Sequence, residues 1–100
     1  MRRRGVVFAP EARDDLLRLY ESIAKAAGVS VALAYIERME TYCLGFDIAS
    51  ERGHTRDDIR AGLRIVGFER RVTVAFSVED ARLTILRVLY GGQNWEEALR

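Results

Sequence analysis

The stretch DDIRAGLRIV, residues 57–66, decides how the second half of this 100-residue chain is read. As a β-strand it alternates Ile59, Ala61, Leu63 and Ile65 with Arg60, Gly62 and Arg64, because successive strand side chains point to opposite faces. The first set belongs against a core. The second offers two guanidinium groups with a bare glycine between them. This reading predicts a strand over 59–68, and the next segments keep the same period. In RRVTVAFSV (70–78), Val72, Val74, Phe76 and Val78 face one way, and Arg71, Thr73, Ala75 and Ser77 the other. RLTILRVLY (82–90) is apolar on both faces, as expected of an interior strand covered on two sides. Parity places Arg87 with Leu83, Ile85 and Leu89, so it either escapes at the strand's edge or is buried and paired.

Upstream the period changes to 3.6. GVVFA (5–9) reads as a short buried strand. Pro10 suits the first turn of a helix, and Glu11, Asp14 and Asp15 favour the positive end of its dipole. Ala12, Leu16, Leu19, Tyr20, Ile23 and Ala27 recur at helical spacing and Gly28 supplies a stop, which predicts a helix over 11–27. Ser30 can cap a second helix over 31–46, with Leu33, Ile36, Met39, Tyr42 or Cys43, and Phe46 as its stripe. The short link makes the two an antiparallel hairpin. Residues 47–58, DIASERGHTRDD, are polar and read as a loop. After Gly91 and Gly92, Asn94 with Glu97 gives a capping-box-like start to a brief terminal helix holding Trp95 and Leu99.

The expected fold class is α+β, one domain over residues 1–100. An N-terminal strand and a helical hairpin pack on one face of a small antiparallel sheet, followed by a short C-terminal helix. The hairpin covers one face of so small a sheet. The other then carries Arg60, Gly62, Arg64, Arg71, Thr73 and Ser77, a polar and basic surface.

Composition sets outer bounds. With 49% hydrophobic residues there is material for one modest core. Sixteen Lys and Arg against fifteen Asp and Glu leave a net charge of +1, a poor basis for phosphate-driven binding. The positive charge gathers in residues 52–90, with eight arginines against five acids, and Lys25 is the sole lysine. Arginine suits forked contacts with carboxylates or phosphates, although a GC-rich genome gives the same bias. Cys43 is the single cysteine, so no internal disulfide forms. No apolar run approaches the roughly 20 residues that span a bilayer. MRRRGVVFA begins like a signal peptide, but its apolar stretch stops at Pro10 and an acidic segment follows. The expectation is a soluble cytoplasmic protein that binds no membrane.

The segment CLGFDIASERGHTRDDIRAGLRIVGFERRVTVAFSVEDARLTILRVLYGG (43–92) resembles the toxins of the RelE/ParE superfamily, specifically the ParE branch. With FAPEARDDLLRLYESIA (8–24) before it and LYGGQNWE (89–96) at its end, the resemblance covers nearly the whole chain. Its most specific parts are RDDIRAGLR, the arginine opening the next strand, and ILRVLYGG. The fold known for that family agrees with the order derived above. The resemblance implies the toxin of a type II toxin–antitoxin pair, neutralised by a cognate ParD-like ribbon-helix-helix antitoxin whose C-terminal segment wraps around it. The pair would form a hetero-oligomer that meets operator DNA only through the antitoxin. ParE-type members are described as poisons of DNA gyrase, whereas RelE-type members cut messenger RNA on the ribosome. The chain departs from the usual ParE pattern at Ala49 and Ser50, at Ala61 and at Tyr90, where proline, proline and histidine are frequent.

Three functions follow: a gyrase-directed toxin without catalytic chemistry of its own, a ribosome-dependent endoribonuclease, or a non-toxic module that binds its antitoxin. A metal-free ribonuclease must activate a 2′-hydroxyl, stabilise the charged transition state and protonate the leaving oxygen. Glu51 or His54 as base, Arg64 and Arg71 as clamps and Tyr90 as acid would be its parts. Against this, Gly91–Gln93 stand where RelE-type nucleases carry a basic run. His54 has the simpler reading of a solvated loop residue, and Cys43 that of core packing on a helix face. One histidine and one cysteine make no metal site, and no cofactor is expected. An Arg-Gly-Arg strand face suits an extended acidic peptide, because glycine lets a backbone approach while flanking arginines clasp carboxylates. The residues expected to meet the antitoxin are therefore Arg60, Gly62, Arg64 and Arg71, with Arg87, Tyr90 and Trp95. Trp95 has the alternative role of closing the bottom of the core.

Overall fold

The structure, a computed structural model, describes residues 5–47, 53–91 and 94–99. Its elements are β1 (Gly5–Phe8), α1 (Pro10–Ala27), α2 (Val29–Leu44) with a following 3₁₀ turn (Gly45–Asp47), β2 (His54–Thr55), β3 (Leu63–Phe68), β4 (Val72–Val78), β5 (Arg82–Tyr90) and α3 (Trp95–Ala98). The α+β order read from the sequence is present, with two additions to the sheet. Its strand order is β1-β5-β4-β3-β2. β1 runs parallel to β5, from Gly5 opposite Arg82 to Phe8 opposite Ile85, so the sheet is mixed. A parallel pair needs a long crossover, and the helical hairpin supplies part of it. At the other edge His54 and Thr55 pair with Ile65 and Arg64, inside the segment expected to be a loop. Gly53 makes that approach possible. Its φ is +78°, and a Cβ there would collide with the Ile65 carbonyl oxygen.

Pro10 opens α1 as expected. Gly28, at φ +101°, donates its N–H to the Ala24 carbonyl (2.9 Å) and ends the helix. The chain reverses in that one residue, and α2 starts at Val29. Ser30 is therefore inside α2 and caps nothing, contrary to expectation. The buried position in that first turn falls to Ala32, and Leu33 is 48% exposed.

The principal core lies between the hairpin and the sheet. Ala12, Leu19, Met39, Cys43 and Phe46 from the helical side meet Phe68, Val72, Val74, Phe76, Leu83, Ile85 and Val88. Cys43 is a buried packing residue, as read. The phase of β3 differs from expectation. Arg64 lies opposite Phe76, Val66 opposite Val74 and Phe68 opposite Val72. Directly opposed residues share a face, so Arg64 is on the hairpin side. Leu63 and Ile65 are on the far side, opposite Ser77 and Ala75. LRIVGF has apolar residues in both phases, and Phe68 decides between them. Its ring packs against Tyr35 (5.8 Å between centroids) and Tyr42 (5.0 Å) of α2.

The far face is consequently not the open basic surface expected. Leu63, Ala75, Leu89 and Leu99 form a second buried cluster, with Ile59, Ile65, Leu86 and Trp95 packed around it. Asn94 caps α3 by accepting from the Glu97 N–H (3.3 Å), and the helix brings Leu99 and Trp95 onto that cluster. Trp95 thus takes the closing role that was one of its two readings. Among the described residues no helix is long and apolar enough to cross a membrane.

Candidate functional site

Two charged residues interrupt the apolar patterns that carry them, and the fold brings them together. Asp15 is on the inward side of α1 near Ala12 and Leu19, and is 6% exposed. Arg87 is at an irregularity in β5. Ala75 lies opposite Arg87 but Phe76 opposite Ile85, which leaves Leu86 without a partner. This bulge reverses the phase of the strand. Leu83 and Ile85 precede it in the hairpin-side core, while Leu86 and Leu89 belong to the far cluster. Arg87 is released from simple parity. It donates from Nε to Asp15 Oδ2 (2.7 Å) and from Nη2 to Oδ1 (3.0 Å). Arg18 Nη2 adds a bond to Oδ1 (2.7 Å), and the Val88 backbone N–H adds one to Oδ2 (2.9 Å). The carboxylate holds the Arg87 guanidinium above even its usual range. Arg87 is therefore the paired case of the two left open.

The expected strand over 59–62 is a turn. Asp57 Oδ1 accepts from the Gly62 N–H (2.8 Å), and Gly62 has φ +77°. The Leu63 N–H bonds to the Arg60 carbonyl (3.1 Å), and β3 begins only there. Arg60, Gly62 and Arg64 hence do not share a strand face. The glycine's place in the sequence has a conformational cause. Arg56 ties this turn to the C-terminus, donating to Asp58 (2.8 Å) and Glu96 (2.6 Å) while its guanidinium sits 5.2 Å from the Trp95 ring centroid. Its pKa is raised, chiefly by the Asp58 hydrogen bond and then by Glu96.

At the opposite end of β3, Glu69 (φ +46°) and Arg70 (φ +68°) make the turn to β4 in a backbone region that favours glycine. Arg38 of α2 holds that turn with a fork to Glu69, Nε to Oε2 at 3.0 Å and Nη2 to Oε1 at 3.1 Å. The fork lowers the Glu69 pKa. Tyr42 donates to the Gly67 carbonyl nearby (3.2 Å). The Tyr35 hydroxyl is enclosed and has no hydrogen-bond partner among the described residues, and burial is the main cause of its raised pKa. Glu69, Tyr90, Arg38 and Arg71 all lie within electrostatic range of it.

The parts considered for a nuclease are spread out. Tyr90 is opposite Val72, and the Gly91 N–H donates to the Arg71 carbonyl (2.8 Å), so Arg71 and Tyr90 share one end of the sheet. His54 and Arg64 are at the other. His54 is three strand spacings from Arg87, and Tyr90 is three residues further along β5. These steps separate the His54 and Tyr90 backbones by about 17 Å, and His54, opposite Ile65, is on the far side of the sheet while Tyr90, opposite Val72, is on the hairpin side. Glu51 lies outside the described residues, as do Ala49, Ser50, Gly92 and Gln93. Among the described residues no group of three or more His, Cys, Asp and Glu side chains could hold a metal ion.

Two concavities accompany these clusters. One of about 250 Å³ is lined by Asp15, Arg18, Leu19, Ser22, Val88 and Tyr90. The other, about 190 Å³, is lined by Ala9, Glu11, Arg60, Leu86, Arg87, Ala98 and Leu99. Sequence reasoning named Arg60, Arg87 and Tyr90 but missed Asp15, Arg18 and Arg56. A signal for Asp15 existed. An acid on an apolar helix stripe and an arginine within an apolar strand are each costly alone, and their opposite charges offset one another.

Residues 6–95 match the family described as ParE toxin of type II toxin–antitoxin systems. No curated protein matches. In fold the chain is similar to a structure described as the chromosomal ParDE toxin–antitoxin system from P. aeruginosa, with a TM-score of 0.77, 20% identity, and 88% of this chain and 96% of that one covered. It is also similar to a chain of the RelBE2 toxin–antitoxin complex from Mycobacterium tuberculosis, with a TM-score of 0.62, 17% identity, and 93% and 97% covered.

Proposed function

Because this chain belongs to the ParE toxin family of type II toxin–antitoxin systems, we propose that it is the toxin of such a pair. A cognate ParD-like antitoxin neutralises it, and its target is DNA gyrase in the cytoplasm. The family match along residues 6–95 is the observation that carries this reading. The surface of the hairpin supports a protein partner. Leu17 on α1 and Val29, Val31, Leu33 and Leu44 on α2 are each about half exposed or more, apolar area that a protein partner would cover. Acidic residues of the antitoxin would meet the exposed arginines, Arg60 and Arg71 among them. Gyrase inhibition asks no proton transfer of the toxin, since the topoisomerase supplies the chemistry and the toxin need only trap an intermediate. The separation of His54 from Tyr90 agrees with that economy.

Expression without antitoxin tests the target. DNA damage and filamentation should precede any loss of translation. The pair of substitutions His54→Gln and Tyr90→Phe should leave toxicity largely intact. Codon-phased cleavage of messenger RNA within minutes of induction, abolished by that pair, would replace the gyrase reading with the ribonuclease one.

A further inference from the structure

The concavity beside the Asp15 cluster has more guanidinium hydrogen-bond donors than its internal contacts use. Asp15 is saturated, each carboxylate oxygen accepting two hydrogen bonds. It also has two guanidinium neighbours, Arg87 and Arg18, and Glu11 acts on Arg87 as a second negative charge, so what the cluster has to spare is hydrogen-bond donors. The unused donors belong to Arg18. Its side chain is 64% exposed and spends Nη2 on Asp15. A guanidinium has five N–H donors, and the Nε and Nη1 sides are left for another acceptor.

The neighbouring lining defines what that acceptor is. Ser22 and Tyr90 bring hydroxyl groups, while Leu19 and Val88 supply an apolar wall. Guanidinium, hydroxyls and an apolar wall match a carboxylate on a short methylene stem. The volume of about 250 Å³ exceeds one such side chain, and the exposure of Arg18 leaves the mouth open. A side chain still attached to its own backbone can enter.

We propose that this concavity is a carboxylate-binding pocket that receives a glutamate or aspartate side chain from the partner polypeptide, with Arg18 as its principal donor. The source of the carboxylate rests on the toxin–antitoxin reading, whereas the pocket's chemistry does not. The pocket is separate from the exposed arginines of the strand turns, since Arg18 projects from α1.

Two arms test it with the ¹⁵N-labelled full chain. In the first, N-acetylglutamate amide and its glutamine isostere are titrated by NMR. The glutamate probe should shift the amides of Ser22, Val88 and Tyr90 and the Arg18 Nε–H, and the isostere should bind about ten-fold more weakly. Arg18→Gln should weaken the glutamate probe similarly, and Ser22→Ala by a smaller factor. Equal response to both probes, shifts confined to other arginines, or an unaffected Arg18→Gln would overturn the pocket. In the second arm, the antitoxin encoded beside this gene is titrated against wild type and Arg18→Gln. A loss of about ten-fold or more supports the proposal. Equal binding would remove the pocket from the interface while leaving the toxin–antitoxin reading in place. No binding to wild type would instead sink that reading and the assigned source, and the glutamate arm alone would then decide the pocket. Exposed Arg18 keeps the variant folded, because Asp15 retains Arg87 and the Val88 N–H.

Discussion

Arg87 and Asp15, 72 positions apart in sequence, join β5 to α1 through two hydrogen bonds of 2.7 and 3.0 Å. The pair lies at the bulge where β5 changes face, and the acid is almost wholly enclosed. Removing one member of such a pair strands the other away from water. Asp15→Ala should lower the unfolding free energy by about 3–5 kcal/mol, read from the urea midpoint at constant slope. The joint replacement Asp15→Leu with Arg87→Met should recover most of that loss, because no uncompensated charge remains. A double variant as unstable as the single one would show that the pair's value is not electrostatic.

Gly53 and Gly62 should respond differently to alanine, although both have positive φ. At Gly62 nothing stands within 4 Å of an added Cβ, so Gly62→Ala should cost about 1–2 kcal/mol, the conformational term alone. At Gly53 the new atom meets β3 backbone, which cannot rotate away. Gly53→Ala should destabilise by a larger amount and abolish hydrogen-exchange protection at the β2–β3 edge. Equal losses at the two sites would contradict the close approach of Gly53 to Ile65.

The Arg38–Glu69 fork predicts a defined acid dependence. Glu69 has its pKa lowered from the usual carboxylate range in the folded protein, first by the Arg38 hydrogen bond. A depressed acid gives stability that is present above its unfolded pKa and lost as pH falls through the folded value. Wild type should therefore exceed Glu69→Gln in urea midpoint at pH 6–7, and the two should converge as pH drops below the carboxylate range. A gap that is independent of pH would assign the effect to turn geometry.

Tyr35→Phe should be neutral or stabilise by up to about 1 kcal/mol. The substitution removes an enclosed hydroxyl that has no partner among the described residues and keeps the edge-on packing against Phe68. A clear loss in thermal midpoint would mean that the hydroxyl has an acceptor, such as a bound water.

The parts of this fold legible in the sequence are those with local causes. Pro10 starts α1 and Gly28 ends it, and the switch of hydrophobic period separates hairpin from meander. Family resemblance was legible in RDDIRAGLR and ILRVLYGG. The placement of the arginines was not, because it depends on contacts between distant residues. Asp57 captures the Gly62 N–H and so turns residues 57–62 away from β geometry. Phe68 sets the phase of β3 through two tyrosines of α2. The bulge at Leu86 and Arg87 is visible only in register against β4. Each of these moves a side chain to another face without changing the local pattern.

The parallel pairing of β1 with β5 places a constraint on biosynthesis. Gly5 has its sheet partner at Arg82, and Asp15 has its counter-charge at Arg87. A ribosome adding about 5–20 residues per second needs roughly 4–15 s to travel from one to the other. Throughout that interval the emerged β1 and α1 have no β5 to dock on, and an acid destined for the interior stays hydrated. Helices α1 and α2 can form early, but the sheet is closed last by the strand made last. Until residues 82–90 have been made, the nascent chain therefore holds the sheet-facing side of its hairpin uncovered.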